Sequence, residues 1–130
     1  MKSSVFLVRV GGVVNLLIGI LHVSFWSLFD WSEELSKLRV DNSNIMQMLN
    51  LFSIVFFFYT SFVLLFMPGK LLASTVGRIF LAMFATLYLS RLGMEFYFPN
   101  GSIVFAIIMV FAVLFFALPL ALTKNLSHAN

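Results

Sequence analysis

His22, Arg91 and Glu95 are the residues of this chain best suited to chemistry. An imidazole inside an apolar stretch can carry a proton or ligate a metal, and a guanidinium attracts anions. Gln47, Asn50 and Tyr88, with Trp26, could orient a bound group around them. Arg91 and Glu95 are four apart, a spacing that allows an ion pair along one helix. Asn44, Gln47 and Asn50 recur every third residue, on one side of two helical turns. All lie in or beside long apolar runs, where a polar side chain is costly and calls for a partner or a task.

Each group also has a plainer reading. Asn15, Gln47 and Asn50 can be hydrogen-bond links between helices, and Trp26 and Tyr88 belt or packing aromatics. The Arg91–Glu95 pair can anchor a helix end, and His22 can be a hydrogen-bonded structural histidine. The only other histidine, His128, is in the C-terminal tail, on the opposite side of the membrane, so no pair of intramembrane histidines is available for a haem. HExxH, a glycine-rich phosphate loop and a Ser-His-Asp set are all missing. Cysteine is absent, which excludes disulfides, thiolate metal sites and thiol catalysis. No cofactor or metal is expected.

The elements that must position these groups follow from composition. Of 130 residues, 62% are apolar and 10% charged, and 17 are Phe. A soluble domain carries roughly a quarter charged residues, so this chain cannot cover its own surface with polar groups. The expected class is an all-α integral membrane protein, a four-helix transmembrane bundle forming one domain over residues 1–130. The apolar runs place spans at about 5–29, 45–67, 71–93 and 103–122, each near the roughly 20 residues a bilayer requires. Trp31, Leu35 and Leu38 recur at helical spacing within the polar stretch Asp30–Asn44, which suggests a short interfacial helix between the first two spans. Pro68-Gly69 and Pro99-Asn100-Gly101 read as turns, and Thr123–Asn130 as a mobile polar tail. Lys2 before an apolar run raises the question of a signal peptide, but the run is long, carries Arg9, Asn15 and His22, and has no small-x-small site after it.

Orientation follows from the basic residues. With the N-terminus inside, Lys2, Arg9, Lys70, Arg78 and Lys124 lie inside, against Lys37, Arg39 and Arg91 outside. Both termini are therefore expected in the cytoplasm, with a bacterial inner membrane as the location. The scattered basic residues do not suggest a nucleic-acid partner.

On one continuous first helix, Gly11, Asn15, Gly19, His22, Trp26 and Phe29 share a face, with Gly11, Asn15 and Gly19 as helix-packing positions. Tyr88, Arg91 and Glu95 share another. Counting roughly 12 Å inward from Asp30 to His22 puts both sets in the outer leaflet, so one pocket would collect His22, Gln47, Asn50, Tyr88, Arg91 and Glu95, with Trp26 at its rim.

The stretches Asn15–Trp26 (NLLIGILHVSFW) and Asn44–Asn50 (NIMQMLN) look like family signatures. With four short, aromatic-rich helices, the chain resembles in format the small bacterial DoxX-like membrane proteins and related families. No functional residue is carried over from that resemblance. Two functions are expected to compete. One is a small accessory or structural subunit packing against lipid, partner subunits or its own copies. The other is a ligand-binding or catalytic protein whose outer-leaflet pocket takes a lipid head group, a quinone or a similar amphiphile. A channel is disfavoured, because no polar stripe crosses the full thickness.

Overall fold

The computed structural model describes residues 2–98 and 101–127, and for residues 124–127 the backbone alone. Every regular element among them is helical: α1 (Lys2–Val23), α2 (Phe25–Leu28), α3 (Trp31–Glu34) running into a 3₁₀ turn (Leu35–Lys37), α4 (Val40–Phe66), α5 (Pro68–Ala73), α6 (Thr75–Tyr97) and α7 (Ile103–Ser127). Four helices are long and apolar enough to cross a membrane: α1, α4, α6, and α7 over Ile103–Thr123.

Several boundaries differ from the sequence reading, each for a local reason. α1 stops at Val23 instead of continuing to Phe29, because Ser24 folds back on it. The Ser24 amide donates to the Ile20 and Leu21 carbonyls and its hydroxyl to Ile20 O, closing the last turn. Asp30 then adopts a left-handed conformation (φ 47°) between α2 and α3, which its short polar side chain tolerates better than most. α4 begins at Val40, before the apolar run, with Asp41 in its first turn, where a negative charge suits the helix dipole. Pro68 opens a helix rather than making only a turn: it occupies the first position of α5, where its missing N–H costs nothing. Ser74 separates α5 from α6 and caps the latter, its hydroxyl accepting from Gly77 N at 3.0 Å. Helix α7 continues to Ser127, through most of the expected tail. Pro99, Asn100 and His128 lie outside the described residues.

The chain forms two compact units, Met1–Gly11 with Val63–Asn130, and Gly12–Phe62. In the first, α6 and α7 pack antiparallel around a buried aromatic column. Tyr88 stacks on Phe116 at 5.7 Å between ring centroids and 8° between planes, and Phe84 on Phe116 at 5.1 Å. Gly11 lies beneath the same ring; a Cβ there would stand 2.8 Å from Phe116 Cζ. Gly77 lies so close to the Leu71 backbone that any side chain would overlap it, which holds α5 against α6. In the second unit the C-terminal half of α1 runs antiparallel to α4. Gly19 packs against Phe57, while Trp31 and Leu35 are buried beside α2.

Candidate functional site

Within the second unit, polar groups join α1 to α4 at two levels. At the end of α1, His22 and Asn50 exchange two hydrogen bonds. Asn50 Nδ2 donates to the His22 carbonyl at 3.1 Å, and Asn50 Oδ1 lies 2.8 Å from His22 Nδ1. The first bond settles the second. A carbonyl can only accept, so the amide must turn its nitrogen to His22 O and its oxygen to the ring, and Nδ1 must carry the proton. Asn50 thereby satisfies one of the carbonyls that every helix leaves without an N–H in its last turn. The imidazole sits between Phe25 and Phe57, at 4.5 and 5.3 Å from their centroids.

Two helical turns earlier on α1, Asn15 is fully buried. Its side-chain nitrogen donates to Phe57 O at 3.1 Å and to Thr60 Oγ1 and Ser61 Oγ, both at 2.9 Å. The two hydroxyls donate in turn to carbonyls one helical turn back, Thr60 to Phe56 O and Ser61 to Phe57 O, each at 2.6 Å. With their protons so placed, their lone pairs face the amide. Thr60 and Ser61 are the site residues that sequence reasoning missed. The clue was register. If His22 meets Asn50 on antiparallel helices, then seven residues back along α1 must meet a position seven to eleven residues further along α4.

The other expected residues divide between the units. Gln47 bonds along its own helix, Nε2 to Ser43 Oγ at 3.2 Å. Trp26 lies beyond the end of α1, so neither it nor Phe29 continues the Gly11–His22 face; it is 47% exposed and packs edge-on to Trp31 at 5.9 Å. Tyr88 is buried in the aromatic column of the first unit. Arg91 and Glu95, also in that unit, form an ion pair of 2.5 Å.

Glu95 has a structural role. Its Oε2 accepts from the Ser102 amide at 2.8 Å, just before α7. Ser102 itself caps α7, with its carbonyl taking Ala106 N and its hydroxyl taking Phe105 N. Glu95 thus supplies from the preceding helix what a capping box draws from its own third residue. Gly101 makes this turn possible, because a Cβ there would collide with the Glu95 carbonyl. Arg91 balances the carboxylate, whose side chain is only 6% exposed.

Among the described residues no three His, Cys, Asp or Glu side chains come together as metal ligands. Outside the four long helices, Lys37 reaches two carboxylates, Glu34 at 2.7 Å and Glu33 at 3.1 Å, all well exposed. Hydrogen bonds to Glu34 and then Glu33 raise its pKa above the ordinary lysine value. Comparison with known proteins returned no match: no family model fits the sequence, and neither a curated protein nor a solved structure is similar to it.

Proposed function

We propose that the chain is an integral membrane protein with cytoplasmic termini, in a bacterial inner membrane, acting as a small accessory or structural subunit. The observation that carries this reading is how the candidate polar groups use their hydrogen bonds. Asn15 and Asn50 tie α1 to α4, Gln47 bonds within α4, and Glu95 caps α7 with Arg91 beside it. These are stabilising roles. The outward face supports it further. Ile45, Met48, Phe52, Val55, Tyr59 and Phe62 repeat along α4 at alternating steps of three and four, and all are exposed. That repeat is the seam by which one helix meets another, so the surface suits a neighbouring helix.

Blue-native electrophoresis in mild detergent tests this. The expected result is a band heavier than one chain, shifted downward when Phe52 and Tyr59 are replaced by Ala. A monodisperse monomer with no companion would overturn the reading. The absence of cysteine makes topology equally accessible. Ser36→Cys should react with an impermeant maleimide from outside the cell, and Ser3→Cys only after permeabilisation.

A second reading, a ligand-binding protein, is favoured by one detail: His22 Nε2 makes no hydrogen bond among the described residues, while Nδ1 is committed to Asn50. Replacing His22 by Gln should abolish binding of a quinone or lipid head group with expression unchanged, if that reading holds.

A further inference from the structure

Among the described residues, Arg9 is the one cation placed well inside a candidate span with no acidic residue near it in sequence and no ion pair. Helix α1 begins at Lys2 and has 22 residues, about 33 Å at 1.5 Å per residue, against a hydrocarbon thickness of about 30 Å. The helix therefore has little length to spare, and Arg9 lies roughly 10 Å in from its start. It is exposed, directed neither into the unit's core nor onto a carboxylate. No ion pair joins Arg9 or Lys2 to any described residue. Within Arg9's own unit the acidic side chain among the described residues is Glu95, which is held by Arg91 and Ser102.

A guanidinium on a lipid-facing helix surface needs an anion or a route to water. Side chains on a helix tilt toward its N-terminus and cover the preceding turn. Arg9 therefore climbs over Val5 and Phe6 toward Lys2. These four residues line one open groove of about 310 Å³. Two cations border an apolar floor, which is the pattern of an amphiphile with a negatively charged head.

We infer that this groove holds an anionic phospholipid of the leaflet facing the N-terminus. Arg9 grips the phosphate through its paired N–H groups, Lys2 adds a second charge at the surface, and Val5 and Phe6 receive the start of an acyl chain. A guanidinium fits a phosphate diester in two-point fashion. The pair's net charge of two favours a lipid with net negative charge over a zwitterionic one. This inference rests on the membrane reading above but not on the subunit role.

The test is native mass spectrometry of the full chain purified in mild detergent, with equal additions of phosphatidylglycerol and phosphatidylcholine. Bound phosphatidylglycerol should exceed phosphatidylcholine. Arg9→Gln and Lys2→Gln should each lower its retention about fivefold, the effect of roughly one surface charge. Arg9→Lys, which keeps the charge without the fork, should fall between, and Arg78→Gln should leave retention unchanged. Equal retention of the two lipids by the unaltered chain overturns the inference whatever the variants do. Displacement of the lipid by millimolar inorganic phosphate also overturns it, by showing a site for free phosphate. Carbonate extraction in parallel separates the two claims: a protein that stays in the membrane pellet yet shows no lipid preference refutes only this inference, whereas one released by carbonate refutes the membrane reading as well.

Discussion

Replacing Asn15 by Ala probes the buried link between α1 and α4 most directly. Its amide has two hydrogens and three acceptors within 3.1 Å. An interhelical hydrogen bond in a membrane protein contributes about 0.6 kcal/mol on average, so two or three such bonds give about 1–2 kcal/mol. Truncating a fully buried side chain adds a packing loss, and the expected total is about 2–3 kcal/mol. Thr60 and Ser61 keep their own acceptors in Phe56 O and Phe57 O, so neither hydroxyl is orphaned and the cost stays moderate. Asn15→Asp should be worse than Ala despite its closer shape. It turns carboxylate oxygens toward a carbonyl and two hydroxyls whose protons already point elsewhere. Unfolding in mixed micelles by rising SDS fraction, followed by circular dichroism, gives the order native, Ala, Asp. A cycle with Thr60→Val should show a coupling of about 0.6 kcal/mol. If Asn15→Ala unfolds within about 0.5 kcal/mol of the native chain, or Asp proves milder than Ala, the proposed hydrogen-bond arrangement is wrong.

The remaining predictions concern the other links. ¹⁵N NMR should place a proton on Nδ1 of His22, and Asn50→Leu, which removes both bonds of the pair, should cost about 1–2 kcal/mol in the same unfolding assay; a ring protonated on Nε2 alone contradicts the Asn50 geometry. Glu95→Ala should loosen the start of α7 by about 1 kcal/mol and speed amide exchange at Ser102 and Phe105, with Glu95→Gln retaining most of the protection. Lys37, whose pKa is raised by Glu34 and Glu33, stabilises the α3 turn fully below the ordinary lysine value of 10.5. That contribution is lost as pH rises through the higher folded value, so exchange around Leu35–Leu38 should accelerate at strongly alkaline pH, and a Lys37→Gln variant should lack the transition.

The four long helices were legible because apolar runs of this length admit few alternatives. Where they end was not. Hydropathy carries α1 on through Trp26 to Phe29, but the stop is made by the Ser24 hydroxyl and amide returning to Ile20 and Leu21. The same kind of local competition hid Thr60 and Ser61. A hydroxyl bonded to a carbonyl of its own helix gives no hint that it also accepts from another helix. Polar residues were easier to count than to aim. Asn44, Gln47 and Asn50 share a spacing, yet only Asn50 bonds to α1, while Gln47 turns to Ser43 and Asn44 is exposed. Phe116 shows the opposite failure. The fourth run has no polar residue from Ile103 to Leu118 to mark it, though Phe116 supplies the ring on which Tyr88, Phe84 and Gly11 all rest.

The partners of Asn15 have a consequence for biosynthesis. They lie 42, 45 and 46 residues further along the chain. When the ribosome has completed only the first helix, those three α4 partners do not yet exist, and the His22 carbonyl lacks the Asn50 amide. A newly made α1 released alone into oil would carry both debts at once. The two segments thus have reason to leave the insertion machinery as a matched hairpin, already zipped at Asn15 and Asn50, and sliding by one turn would cost them both fastenings.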